Sequence, residues 1–567
     1  MKEFWWSDKR WENKKDQVVF ECRSSSRRYQ LEEIDEFGQP RITTFSKRKI
    51  PPGVESRKQT QTILIPLNSL GFGDIDWLSP HLKNVIPSRH SKLKQMQELC
   101  GVSNKSINLI VIPASVLKIG GSAFAGSHLK YVIFARNSQL YFIDYFAFSH
   151  SKRLHSIVVP PSIRKIGMHI FGSSHIKRIS LPSTSTLKEI PEDAFSDCSC
   201  LSSIEIPASV EIINENAFFR ANLESITFPP NSNLQYIGSR SFNHCKCLTF
   251  IEIPASVQVI SKTAFYGSSC ESITFAPNSQ LETIGHGAFQ FCSDLASIKL
   301  PASVKKIGED AFNTAGLQSI SFGVHSKLRI LPERLFEGCS KLTSIEIPSA
   351  VEEIGEWAFA NSGLEYVTFA SNSCLKTIKS YAFGGCFVSS ICFPPSLESL
   401  GDGAFSNSSI VSVSFLPNSR LITIGRNAFQ DCEELTSIIL PSTLKMIGEY
   451  AFSSCLNLNR VEIPSSVEEV GVGLFWNSKV KNIVFAQNTK LRTIGRGTLQ
   501  ACPVEKINDP SCADGIKNAI FDNSFLISTL FLPPESKRQK INGTVETEYF
   551  ESAESKDSTE SDSTMHE

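Results

Sequence analysis

From residue 107 to 508 the apolar and polar positions follow one scheme that returns every 23 or 24 residues. In Leu342-Thr343-Ser344-Ile345-Glu346-Ile347-Pro348 the first, fourth and sixth places are apolar, and the fourth and sixth alternate with polar neighbours as a half-buried strand requires. Pro348 has no N–H to give a ladder, so the strand stops there. Val351 and Ile354 then turn inward again. Gly355 follows at a corner where a residue tolerant of positive φ is expected, with Asn214 as the second choice in another rung. The next residues, Glu356-Trp357-Ala358-Phe359, read as a short helical or 3₁₀ arc in which Ala lets the arc approach the sheet and Phe fills the interior.

The arc phenylalanine recurs from Phe124, Phe148 and Phe171 through to Phe452 and Phe475, with Leu499 in the seventeenth place. Self-similarity at this period marks a solenoid. Spacings mostly alternate between 24 and 23, so two kinds of rung make a longer period of 47 residues. One kind reads Ile-Pro-Ala-Ser-Val, as at Ile206 to Val210; the other reads Phe-x-Pro-Asn-Ser, as at Phe275 to Ser279. The fold class expected is an α/β repeat solenoid of about 17 rungs, with one long parallel β-sheet and short helical or 3₁₀ arcs opposite it. The chain divides into an N-terminal charged region and capping segment (1–105), the solenoid (106–508), a C-terminal cap (509–533) and an acidic, Ser/Thr-rich tail of disordered composition (534–567). Within the first segment, Thr62-Ile63-Leu64-Ile65-Pro66 resembles a degenerate rung, and a short helix is expected near 93–99.

The outward face of the sheet is where the rungs differ. Its middle is Ser and Thr, as at Ser225 and Thr227 or Ser272 and Thr274, punctuated by Glu205, Phe250, Glu252, Lys299, Glu346, Tyr366, Arg460 and Glu462. Those eight are the candidate binding positions, because isolated aromatics and charges on a flat polar field can anchor a partner. In the first rungs Leu109, Val111, Tyr131, Ile133 and Val158 occupy the same places and make an apolar patch that something should cover. Residues 60–105 are expected to fold back over it rather than extend the stack.

Charge and chemistry add mainly exclusions. Lys plus Arg equals Asp plus Glu at 57 each, which leaves no whole-chain electrostatic case for nucleic acid. No run of 18 apolar residues predicts a membrane span, and the start Met1-Lys2-Glu3-Phe4-Trp5-Trp6 has no signal-peptide core, so the literal expectation is a cytoplasmic chain. Eight of the sixteen cysteines fall three places after the phenylalanine, where other rungs carry Ser or Ala. That tolerance reads as selection for small buried volume. Cys432 and Cys455 sit on adjacent rungs, the one such pair in that column within reach of a disulfide, and are expected to be reduced. No nucleotide, zinc-protease or nucleophile-elbow motif is present, and Cys198-Ser199-Cys200 and Cys245-Lys246-Cys247 have the wrong spacing for a zinc knuckle. Five histidines lie between His128 and His175 and read as solvated surface groups. No catalytic residue, metal or cofactor is expected.

The consensus Leu-x-x-Ile-x-Ile-Pro-x-x-Val-x-x-Ile-Gly-x-x-Ala-Phe-x-x-Cys, over about 400 residues, resembles the BspA-type (Treponema pallidum-type) leucine-rich repeat family. The resemblance implies a right-handed, weakly curved leucine-rich repeat solenoid that binds proteins, with no catalytic residues. It also implies a surface antigen or adhesin whose partners are host or extracellular matrix proteins, and so a place at the cell surface. An intracellular scaffold or regulator is the alternative, and an enzyme with its activity in the N-terminal region a third.

Overall fold

The computed structural model describes residues 93–96 and 107–508, together with the backbone of five upstream strands, Val18–Cys22, Arg27–Ile34, Pro40–Phe45, Thr62–Ile65 and Asn84–Pro87. The chain divides into two compact units, Met1–Ser524 and Phe525–Glu567, and every described residue belongs to the first. The cap expected at 509–533 and the tail at 534–567 lie outside the described residues.

Each rung supplies a long strand, a two-residue strand and an arc. Ser344–Ile347 pairs in parallel with Tyr366–Phe369, and Glu353–Ile354 pairs in parallel with Thr377–Ile378, so the stack carries two parallel faces where one was expected. Long strands 22 residues apart pair in full, as Phe250–Ile253 does with Ser272–Phe275. The following step of 25 residues leaves only Ser272↔Ser297 in register. The 47-residue period is therefore also a hydrogen-bonding period. Pairing of the two-residue strands breaks between Lys165–Ile166 and Glu189–Ile190, and again between Lys306–Ile307 and Ile330–Leu331. Each break precedes a proline, Pro191 or Pro332, in the place where Gly355 donates its N–H to Leu331 O of the previous rung at 2.7 Å.

The arcs are not helical; no helix occurs among the described residues. In the arc after Gly355, the N–H groups of Trp357, Phe359 and Asn361 donate to Ser380, Ala382 and Gly384 of the next rung at 3.0, 2.8 and 2.8 Å. Those of Ala360 and Ser362 close i→i−3 turns at 3.0 and 3.1 Å. A helix would point its N–H groups along its own axis and not toward the next rung. Alternation is made possible by left-handed backbone two residues before and two after each spine position, here Trp357 at φ 55° and Asn361 at φ 54°, in all seventeen rungs.

Gly355 does not have the positive φ expected of it, and neither does Asn214. The constraint there is contact between rungs: a Cβ on Gly355 would sit 2.7 Å from Glu333 N and 2.9 Å from Leu331 O. Asn214 is accommodated because its amide donates back to Ile190 O at 3.1 Å.

Inside, the phenylalanines from Phe124 to Phe475 form one continuous stack of buried rings, with neighbouring centroids 5.0–5.9 Å apart and planes within 5–19°. Leu499 ends the column beside a small apolar cavity bounded by Phe475, Phe485 and Ile494. Immediately before the two-residue strands, opposite charges meet on some neighbouring rungs: Arg329, Glu352 and Lys376 pair in succession at 3.2 and 2.8 Å. Exposed pairs contribute little energy, but a slipped rung would oppose like charges.

At the N-terminal end, Thr62–Ile65 pairs in parallel with Asn84–Pro87, which pairs in parallel with Leu109–Ile112. They extend the stack, contrary to the expected fold-back, because an open strand edge with unpaired N–H and C=O groups is satisfied only by another strand. Gln95–Met96 is likewise a strand paired with Lys118–Ile119, not the start of a helix. Of the apolar patch, Leu109 and Ile133 are buried, Val111 and Val158 half-buried and Tyr131 exposed. Val18–Cys22, Arg27–Ile34 and Pro40–Phe45 form a three-stranded antiparallel sheet that the repeat pattern did not reveal.

Two substitutions test the arc geometry in opposite directions. Thr263 combines a β-branched side chain at φ 49° with a buried hydroxyl lacking a partner. Thr263→Gly is expected to raise stability by about 1 kcal/mol despite the entropy of glycine. Gly355→Ala forces adjoining backbones apart and is expected to lower it by about 1–3 kcal/mol; thermal unfolding of both variants checks the pair.

Candidate interaction surface

All eight candidate residues project from the outward face of the long strands and are exposed, Phe250 at 51% and Tyr366 at 60%. Strand alternation puts them there: in Phe250–Ile253 and Arg460–Ile463 exposed and buried residues alternate strictly. The structure brings some together. Phe250 and Glu252 share one strand, Glu346 lies one strand from Tyr366, and Arg460 reaches Glu462 at 3.9 Å. Glu205 and Lys299 stand apart, their neighbours in register being Thr227 and Ser321. Phe250 and Tyr366 are five strand steps apart, about 24 Å at the spacing of paired strands. Between them, on the same column, lie Ser272, Ser297, Ser319 and Ser344, so the aromatics rise from a floor of small hydroxyls.

Other concavities offer less. A cleft of about 330 Å³ at the corner of the early rungs is lined by Phe142, Asp144, Tyr145, Met168, Glu189 and Glu192 among others, and Asp144 is already paired with Lys118 at 2.9 Å. No nucleophile with a neighbouring base lines it. Of the clustered histidines, His150 and His155 are exposed as expected, whereas His169 is half-buried against the Phe146 ring at 4.7 Å, and burial lowers its pKa. Among the described residues no group of three or more His, Cys, Asp and Glu could hold a metal ion, and no helix is long and apolar enough to cross a membrane.

The cysteines of this column also make a hydrogen bond along the stack. Cys198, Cys245, Cys292, Cys339 and Cys386 each donate S–H to the carbonyl of the preceding spine phenylalanine at 3.0–3.1 Å, and Ser151 donates O–H to Phe124 O at 3.1 Å. Cys and Ser can both donate there, but Ala221 and Ala315 hold the same buried place without a donor, so small volume is the shared requirement. Cys432 and Cys455 make such bonds to Phe405 and Phe429 and are free thiols. Desolvation pushes Cys198, Cys339 and Cys432 up from 9.0 to about 12, and Cys292 and Cys386 to about 11. Cys374 and Cys392 are exposed.

With the fold and this face described, comparison with known proteins places the chain in a class. The family described as the BspA type leucine rich repeat region matches it in overlapping segments, 101–224, 211–328, 260–375, 317–423 and 412–528. The chain belongs to this family of leucine-rich repeat proteins, which are generally protein-interaction modules. It is similar to a leucine-rich repeat protein of Bacteroides ovatus at 20% identity and TM-score 0.39, covering 77% of this chain and 97% of that one. A leucine rich cell surface protein of Faecalibacterium prausnitzii matches at 22% identity and TM-score 0.28, covering 71% and 96%. The Treponema pallidum leucine-rich repeat protein matches at 21% identity and TM-score 0.22, covering 41% and 82%. No curated protein matches the chain.

The thiols yield a prediction with a definite sign. Their folded pKa values lie above those of unfolded thiols, so the stability they contribute is fully present below about pH 8.5 and is lost as pH rises through the folded values near 11–12. The midpoint of chemical unfolding is expected to fall steadily above pH 9, and an aromatic disulfide reagent at pH 8 should label Cys374 and Cys392 in the folded protein. Rapid labelling of Cys432 or Cys339 without unfolding would show the column to be open.

Proposed function

We propose that this protein is a non-enzymatic binding module, a surface antigen or adhesin-like interaction protein, whose protein partner lies across the outward face of the long strands. The supporting observation is that face: two exposed aromatics on a column of serines, with Glu252 and Glu346, which make no ion pair among the described residues, on the column beside it, all held at fixed spacing by the stack beneath. Fixed spacing lowers the ordering cost of association, which is how a face of modest chemistry gains affinity. Family membership supports protein binding, and by resemblance the partner is a host or extracellular matrix protein. Residues 1–105 act in this reading as a cap to the stack.

A second reading, an intracellular scaffold, draws on one observation. Cys374 and Cys392 are exposed free thiols, which a reducing compartment preserves. Immunofluorescence on intact and permeabilised cells separates the two: signal on intact cells supports the surface protein, and signal confined to permeabilised cells supports the scaffold.

Phe250→Ser with Tyr366→Ser is expected to weaken binding to an immobilised extracellular-matrix extract by about tenfold or more, while circular dichroism and melting temperature stay unchanged. Unchanged binding by the double variant would move the site off this face.

A further inference from the structure

The balanced charge of the chain conceals a steep division along the stack. Residues 107–188 hold ten Lys and Arg against the single acid Asp144, whereas residues 189–300 hold twelve Asp and Glu against five Lys and Arg. The solenoid converts this division in sequence into one in space. Lys130, His155 and Lys177 occupy the same place on three successive rungs, immediately before the strands Tyr131–Phe134, Ser156–Val158 and Arg178–Ser180. Lys177 N donates to His155 O at 2.8 Å, so these rungs are in direct register. Lys152 and Arg153 lie in the turn leading to the middle strand, and Arg178 opens the last. All six are exposed.

Lys130, Lys152, Arg153, Lys177 and Arg178 make no ion pair among the described residues, and Asp144 is taken by Lys118 at 2.9 Å. At Arg329, Glu352 and Lys376, by contrast, the sign alternates from rung to rung. Here Lys130 and Lys177 stand two rungs apart, about 10 Å, on either side of His155, and Lys152 with Arg153 and Lys177 with Arg178 are adjacent along the chain, so cations gather with no acid between them. Two rungs beyond Lys177 the same column becomes acidic at Glu224. The ridge is therefore short, bounded and, among the described residues, without ion-pair partners.

We propose that this ridge binds a linear sulfated polysaccharide. The ligand chemistry follows from what surrounds the cations. Ammonium and guanidinium groups at repeated close spacing match sulfate esters and carboxylates along a chain. Single-stranded nucleic acid would call for aromatic platforms between the cations, and Tyr131 at one edge is the only exposed aromatic ring on these three strands. Arg178 stands in the column of Phe250, three strands before it, but the other cations lie at the entry to the strands, and the ridge goes beyond the protein-binding reading; the ridge variants leave Phe250 and Tyr366 unchanged, so the two readings are tested separately.

The test uses the full chain and a heparin octasaccharide, with affinity measured by calorimetry at several salt concentrations. Wild type is expected to bind with a logarithmic salt slope of about −3 to −4, one released counterion per cation engaged. Lys152→Glu with Arg153→Glu, and Lys177→Glu with Arg178→Glu, should each lower affinity at least tenfold. Lys327→Glu with Lys341→Glu makes the same change in net charge at exposed positions remote from the ridge and should leave affinity within twofold. Should a reversal variant fail to fold, Lys130→Gln with Lys177→Gln gives the same comparison with less repulsion to the acidic rungs. Loss in the control equal to that at the ridge, or no binding by wild type, overturns the proposal. So does tighter binding of a single-stranded DNA oligonucleotide of equal charge. A wild-type dimer that salt dissolves and the ridge variants abolish also overturns it, by assigning the ridge to the acidic rungs of a second copy.

Discussion

Every feature of this solenoid answers to one dimension, the rise of about 4.8 Å per rung that parallel backbone pairing imposes. Phenylalanine rings 5.0–5.9 Å apart can stack at that rise with a slight offset, so a column of identical rings costs no strain. Glycine stands where two backbones come too close for a Cβ, as Gly355 does over Leu331 and Glu333. Left-handed residues four apart turn alternate arc amides along the stack axis, which carries hydrogen bonding past the strands and around the rung. Bulky residues such as Trp357, Tyr381 and Arg240 accept that backbone, at about 1–2 kcal/mol each, because the bonds on both sides of them leave no alternative.

The same dimension decides how much could be read from the residues. Periodicity exposed the strands, the inward Leu and Ile and the phenylalanine column, because burial in a repeat is a matter of spacing alone. The arcs were misread as helical since Glu-Trp-Ala-Phe is compatible with a helix locally; what excludes it is the demand of the next rung for donors. Gly355 was assigned a positive φ by the ordinary association of glycine with corners, whereas the positive φ falls on Trp357, which nothing in its chemistry announces. Pro332 in the glycine place could have corrected that, since proline forbids φ above zero. The apolar patch at Leu109 and Ile133 suggested a lid, but the open edge of the first strand had the stronger claim on Thr62–Ile65 and Asn84–Pro87.

On the outward face the placement of Glu205, Phe250, Glu252, Lys299, Glu346, Tyr366, Arg460 and Glu462 was legible because side chains alternate in a strand. Their company was not. Register sets Tyr366 beside Ser344 and leaves Lys299 beside Ser321, and register depends on the different lengths of the two kinds of step. The basic ridge was hidden for another reason. Summing charge over the chain cancels rungs that lie far apart along the stack, and only folding shows which charges are neighbours. A repeat protein of this kind keeps its interior uniform and writes its differences on the outside, so recognition and stability can change separately.

Hydrogen exchange of the spine amides tests most directly whether the arcs are bound to one another along the axis. With the phenylalanines labelled at backbone nitrogen, the amides of Phe312, Phe336 and Phe359 each donate to the next rung at 3.1, 2.7 and 2.8 Å. They should exchange only through global opening, with protection as high as that of the long strands. Exchange of these amides orders of magnitude faster than the strand amides, as for an ordinary surface turn, would contradict the account.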